Sequence, residues 1–437
     1  MLKIIDIRNG GDDGLYRTLV SRSQLDRADV LAAVNEIIGN IRRTGDEALL
    51  EYTRRFDRAE LDAEGLRVRP EEFEQAYDRV DGGLIEVIRR AKAKIEAFHE
   101  KQKENSWFSA EEDGVILGQL YRPLGAVGIY VPGGTAVLTS SVLMNAIPAK
   151  VAGVDRIIMA TPPAADGAVN PAVLVAAREA GVGEVYRMGG AQAVAAMAFG
   201  TQSVPRVDKI VGPGNIYVAT AKRMVFGFCD IDMFAGPSEI MVVADDSADP
   251  RFVAADLLSQ AEHDTLSAAI LVTASEKLAD RVRAEIESQY AALSRKEILS
   301  KSLSDYGAVV LVRDMDQAME VVNTIAPEHL ELCIEEPFGR LGSVRNAGAV
   351  FLGNWSSEPL GDYFAGPNHV LPTGGTARFF SPLNVADFIK KTSVVSYTEK
   401  ALGKVKDDIM SFALSEGLDG HASAIGVRFG KREENNV

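Results

Sequence analysis

Cysteine is nearly absent from this chain: Cys229 and Cys333 are the only two, far apart and in no CxxC spacing. That excludes a disulfide framework and fits a reducing compartment. Neither cysteine sits beside a polar motif, so a thiol nucleophile is not expected. No apolar run approaches the roughly 18–20 residues needed to span a membrane. The first residues, MLKIIDIRNGGDDG, show no basic segment followed by an apolar one, so no signal peptide is expected. Positive charge is in deficit, with 47 Lys and Arg against 62 Asp and Glu, a net charge of −15. The excess acid is spread along the chain, which argues against nucleic-acid and anionic-membrane partners. A cytoplasmic protein is the expectation. The dinucleotide fingerprint GxGxxG is also missing.

What is present is an ordinary globular composition, 46% apolar and 25% charged over 437 residues, long enough for several domains. Histidine is rare, at five residues, and four of them lie in dense polar motifs of the C-terminal half. These are His263 in SQAEHD, His329 in APEHLEL, His369 in GDYFAGPNHVLPTGG and His421 in EGLDGH. Each stands within a few residues of a carboxylate, and imidazole with carboxylate is the chemistry of metal binding and proton transfer. A metal-dependent enzyme is the first expectation. His99, beside Phe98 on an amphipathic segment, reads as a packing histidine.

Residues 27–105 carry apolar positions at three- and four-residue spacing and predict helices. From about residue 120, short apolar strands alternate with glycine-rich turns and helices: GAVGIYV, RIIMAT, VYRM and DKIV. The texture repeats after residue 238 with EIMVVAD, AAILVT, GAVVLV and AGAVFLG. Such alternation marks parallel α/β sheets. Two successive halves predict a duplicated, Rossmann-like doubly wound unit. A mostly helical tail follows residue 381 and ends in GKREENNV, expected to fray.

Gln260 and His263 are three apart at the end of a predicted helix, which would put both on one face; a solvated helix end fits the same residues. Asp362 and His369 bracket a tight loop after the strand AGAVFLG, the kind of position where α/β proteins place sites, though ordinary loops share that composition. Glu328 and His329 follow Pro327, a good first-turn residue, and predict a helix start. Glu416 and His421 lie in the tail and would have to reach back over a pocket, in the same subunit or a partner's. GGAQ and GPGN follow strands and open helices, a context in which backbone N–H groups hold phosphate.

Together the stretches YVPGGTA, SVLMNAIPAKVAGV, GGAQA, VGPGN, AGPSE, DLLSQAEH, APEHLEL, GDYFAGPNHVLPTGGTARF and EGLDGH resemble the histidinol dehydrogenase family, in order and spacing, from roughly residue 25 to 428. The resemblance implies an aldehyde-dehydrogenase-like fold and NAD-dependent oxidation of L-histidinol to L-histidine through the aldehyde. It implies one zinc per subunit on Gln260, His263, Asp362 and His421. It assigns acid/base chemistry to Glu328 and His329. Substrate contacts would come from Ser238, Gln260, His263, His329, Asp362, His369, Glu416 and His421, and NAD contacts from Tyr130, Gln192 and Asn215. It implies a homodimer whose tails complete each other's sites. The expected organisation is an N-terminal arm (1–26), a helical segment packing on the second α/β domain (27–118), an NAD-binding α/β domain (119–237), an α/β domain with zinc and catalytic residues (238–381) and a tail (382–437). Two other readings stay open: a paralogue oxidising another primary alcohol, and a zinc-binding protein without turnover.

Overall fold

The computed structural model describes residues 2–10, 14, 17–19, 22, 27–133, 138–234 and 236–430. Part of the first glycine-rich turn, residues 431–437 of the terminal segment expected to fray, and 12 of the 26 residues of the N-terminal arm lie outside these residues. The chain divides into two compact units, one of residues 1–103 and 124–388 and the other of residues 104–123 and 389–437.

The larger unit holds two parallel sheets. In the first, strands Ala126–Tyr130, Arg156–Thr161, Glu184–Arg187, Lys209–Val211 and Asp230–Ile231 lie in the spatial order 3-2-1-4-5. In the second, strands Glu239–Ala244, Ala268–Thr273, Ala308–Leu311, His329–Cys333 and Ala349–Leu352 repeat that order. This is the duplicated doubly wound topology that the alternating texture predicts. The central strands are buried along their whole length, which is why they read as continuous apolar runs. Alternate residues of one strand enter different cores: Ile240, Val242 and Ala244 pack in one cluster, Met241 and Val243 in another.

Three features differ from expectation. Residues Lys3–Asp6 form a strand pairing in parallel with Ala308–Leu311 and extend the second sheet; four residues are too short a run for periodicity to show. The N-terminal helices pack mainly on the first α/β half, and the last of them, Gly82–His99, also meets the Phe364–Asn368 loop of the second. Val30, Val34, Ile37 and Ile41 of helix Ala28–Thr44 share one core with Val194, Ala195 and Val218. Thirdly, residues 104–118 leave the helical segment altogether.

They belong to the smaller unit, where Trp107–Ala110, Ile116–Pro123 and Ile389–Ser396 make an antiparallel sheet. Helices Glu399–Ser415 and Asp419–Gly426 follow. Thr398 caps the first, accepting from the Ala401 N–H at 3.2 Å while its hydroxyl donates to the Asp113 carbonyl at 2.7 Å. Among the described residues no helix is long and apolar enough to cross a membrane.

One turn in the first half admits only glycine. Gly212 has φ of +115°, and a Cβ there would collide with the Tyr130 carbonyl. Its N–H donates to Asp232 Oδ2 at 2.8 Å and its carbonyl accepts from Lys222 Nζ at 2.9 Å, while Lys222 and Asp232 form a buried ion pair. Gly212→Ala is expected to lower unfolding stability by about 1–3 kcal/mol, the cost of a strained backbone position; an unchanged denaturation midpoint would refute that account of the turn.

Candidate active site

Strands Glu239–Ala244 and His329–Cys333 are neighbours, with His329 opposite Ile240. That register places the peptide groups of Glu239 beside the Glu328–His329 pair. The Glu239 N–H donates to Glu328 Oε2 at 2.8 Å, and the Glu239 carbonyl lies 3.1 Å from His329 Nδ1. A carbonyl only accepts, so Nδ1 carries the proton and donates. Nε2 then faces Asp362 Oδ1 at 3.7 Å, ion-pair range but too long for a hydrogen bond, and has no hydrogen-bond partner. The expected helix start at Pro327 is instead a strand. HLELC is buried throughout and pairs on both sides, and tertiary pairing overrides a local helix signal.

Asp362 sits on the short helix Glu358–Tyr363. The His369 ring donates from Nδ1 to the Asp362 carbonyl at 3.1 Å, and its Nε2 lies 3.5 Å from Ser141 Oγ. Sequence reasoning missed Glu358. It is buried, accepts from Ser259 Oγ at 3.1 Å, and stands one helical turn before Asp362. That i, i+4 carboxylate spacing was the available signal. One donor atom each of His329, Glu358 and Asp362 lies within 4.8 Å of the other two.

These charges reset one another. Burial pushes the Glu328 carboxyl up to about 8, with His329 pulling the other way. Burial also drives Glu358 up to about 7, reinforced by Asp362. For His329 burial acts downward, but Glu328 and Asp362 outweigh it and hold the imidazole at about 10. For Asp362 burial acts upward, but the neighbouring histidines outweigh it and hold the carboxyl at about 2.

Gln260 lies in the last turn of helix Pro250–Ala261, while His263 falls beyond the helix end in an exposed turn, its N–H bonded to the Gln260 carbonyl at 3.2 Å. The two therefore do not share a helical face as the spacing alone suggests. Gln260 is 0% exposed, and neither its amide oxygen nor its amide nitrogen has a partner. An uncharged amide left so costs about 1–3 kcal/mol. A bound cation is one group that accepts its oxygen, and the nearby carboxylate of Asp362 and imidazole of His263 are ligands of the right kind.

Gln260, His263, Asp362, Glu328, His329, His369 and Ser238 all line one cavity of about 710 Å³. In the second sheet they gather at the amino ends of the strands, reached by helices that run back across the sheet. The expectation that the Asp362–His369 loop marks a carboxyl edge is thereby corrected. The first sheet does contribute its carboxyl edge, through Pro132 and the turn from Gly212 to Asn215. His99 is fully buried, with Nδ1 2.8 Å from the Ile95 carbonyl and Nε2 accepting from Asn368 Nδ2 at 3.4 Å. It anchors the loop that presents His369.

Of the three expected NAD contacts, only Asn215 lines the cavity. Tyr130 and Gln192 are buried. The two helix N-termini expected to hold phosphate already have protein partners. The Gly189 N–H donates to Asp57 Oδ2 at 3.2 Å and the Gly190 N–H to the Tyr130 hydroxyl at 3.0 Å. Asn215 caps its own helix, accepting from the Tyr217 and Val218 N–H groups. Glu416 and His421 belong to the smaller unit, where both are exposed.

Burial raises the Asp57 carboxyl to about 6, against the Gly189 and Gln192 hydrogen bonds. The folded state therefore holds this proton more tightly than the unfolded chain, and the group destabilises the fold progressively as pH rises from about 4 to 6. Asp57→Asn removes that dependence. Denaturation midpoints of variant and parent should diverge in the variant's favour across this window and run parallel above it; a difference independent of pH would sink the assignment.

Residues 20–429 match the family model described as histidinol dehydrogenase. A histidinol dehydrogenase of Clostridium acetobutylicum is 53% identical over 425 residues, covering 97% of this chain and 98% of that one. One from Geobacillus kaustophilus is 54% identical over 432 residues, covering 99% and 100%. The crystal structure of histidinol dehydrogenase from Elizabethkingia anophelis superposes with a TM-score of 0.91 at 39% identity, covering 98% of each chain. With agreement in sequence and fold along nearly its whole length, the chain belongs to the histidinol dehydrogenase family and is an oxidoreductase.

Proposed function

We propose that the protein oxidises L-histidinol to L-histidine through L-histidinaldehyde, reducing two NAD, as the last step of histidine biosynthesis, with one zinc ion per subunit. The observation that carries this reading is the buried, unpartnered amide of Gln260 in a cavity shared with His263, Asp362, Glu328 and His329. Gln260, His263 and Asp362 would hold the zinc, with His421 from the tail of a partner subunit in a homodimer. When bound, zinc would supply a Lewis-acidic template for a substrate rich in nitrogen donors. NAD would supply the hydride acceptor, with Tyr130, Gln192 and Asn215 as the residues that would hold it. Ser238, His369 and Glu416 contact the substrate.

The proton steps fall to this chain's own residues. An alcohol is about as weak an acid as water, near 15.7, and an ordinary imidazole titrates near 6.5. The gap of roughly nine units corresponds to about 12 kcal/mol. His329 therefore takes the proton as hydride leaves and the oxygen becomes a carbonyl, not beforehand. Glu328 and Asp362 by themselves favour the protonated ring; a cation bound at Asp362 would offset that charge and leave Nε2, which has no partner, free to accept while Nδ1 stays committed to the Glu239 carbonyl. The second oxidation adds water to the aldehyde, and Glu328, held by the Glu239 N–H, activates that water. Both cysteines are buried, with thiols pushed up by burial, so a thiolate has no part.

His329→Ala should impair alcohol and aldehyde oxidation alike, about a hundredfold or more, the usual worth of a positioned base. Glu328→Gln should slow aldehyde oxidation more than alcohol oxidation. Stopped-flow NADH absorbance with each substrate separates the two, and equal losses for Glu328→Gln would end the division of labour. Anaerobic turnover of L-histidinol should yield two NADH per histidine; a ratio of one would overturn the four-electron reaction. Gln260→Met should stabilise the metal-free protein by about 1 kcal/mol, because it removes two unsatisfied atoms, yet weaken zinc retention on dialysis. Undiminished retention would remove Gln260 from the ligand set.

A further inference from the structure

Glu239 is absent from every role assigned so far, yet it touches both members of the proton-handling pair. Its N–H holds Glu328 and its carbonyl holds His329. Its side chain is itself pinned at both oxygens: Oε1 accepts from the Gly374 N–H at 2.6 Å and Oε2 from Arg22 Nη2 at 2.8 Å. Arg22 is 2% exposed and Glu239 2% exposed, so neither charge is screened by water. The remaining arms of the guanidinium are also engaged. Nη1 donates to the Leu266 carbonyl at 2.6 Å and Nε to the Leu19 carbonyl at 3.1 Å.

We infer that Arg22 and Glu239 are positioning residues, whose buried ion pair locks the peptide groups flanking Glu239 so that Glu328 and His329 stay aligned for proton transfer. The inference rests on Glu328 and His329 being the pair proposed above. Arg22 borders the cavity, but all three of its donor groups are directed at protein acceptors in three separate segments, which leaves it to brace the site and not to bind substrate. A planar fork of fixed geometry can satisfy those three acceptors together, where a lysine ammonium on a flexible stem would not. Net stability is a weak reason for the pair, because desolvation of two charges consumes most of their attraction. Alignment is the stronger reason: a displacement of about 1 Å at a reacting centre can cost on the order of a hundredfold in rate.

Removing one partner leaves a buried, uncompensated charge and can prevent folding. The deciding variant is therefore the double substitution Arg22→Met with Glu239→Gln, which removes both charges and keeps the backbone contacts of Glu239 available. It is compared with the parent and with Arg22→Lys, each as zinc-loaded enzyme with L-histidinol and separately with L-histidinaldehyde. The expected result is a fall in kcat of about tenfold or more for both substrates, with KM for substrate and NAD and zinc content within about twofold of the parent. Arg22→Lys should recover thermal stability more completely than kcat. Parental kcat in the folded double variant would overturn the inference, as would losses of kcat that track KM or zinc content. His329→Ala serves as the reference: if it retains full activity, the pair itself is misassigned, whereas if it is inactive while the double variant is not, only the positioning role fails.

Discussion

Parallel pairing between the strands that begin at Glu239 and His329 is the constraint on which the site depends. In this register one peptide unit's N–H meets a carboxyl and the next carbonyl meets an imidazole. A shift of one residue would turn every side chain of the strand to the opposite face. The two cores on either side of the sheet forbid that shift, since Ile240 and Met241 serve different clusters. The chemistry is thus held by the same packing that holds the fold.

The cavity concentrates groups that are costly to bury alone. Glu328, Glu358 and Asp362 crowd one imidazole, and Glu328 and Glu358 are buried, which pushes both carboxyls up. Gln260 adds an amide without a partner. A fold selected for stability alone would fill such a space with apolar side chains. Local conflicts of this kind, set within an otherwise consistent core, are the mark of a site shaped for binding.

The two halves share a strand order but serve the cavity from opposite edges. The first presents carboxyl-end turns, where glycine lets the backbone pass close to Tyr130. The second presents the amino ends of its strands, with helices Pro250–Ala261 and Glu358–Tyr363 bringing Gln260 and Asp362 back to them. A general rule about carboxyl edges applies to one half and not to its repeat.

Much of this was legible in the chain. Fully buried parallel strands are written as short apolar runs, so EIMVVAD, AAILVT and GAVVLV announce themselves. The rarity of histidine and its company of carboxylates marked His263, His329 and His369 as candidate site residues. Glu358 escaped because a glutamate near the start of a short helix looks like any solvated one, and nothing local says it is buried. The strand at His329 read as a helix because Pro327 is a local signal while strand pairing is not. The partner of Arg22 lies 217 residues away, a distance over which neither periodicity nor spacing carries information. Sequence by itself determined the alternating α/β architecture and the residue types of the chemistry, because both follow from local patterning and side-chain character. Only tertiary structure decided which peptide groups orient Glu328 and His329, which polar atoms are left unpartnered, and which edge of each sheet faces the cavity, because these arise from contacts between segments that no local run of residues encodes.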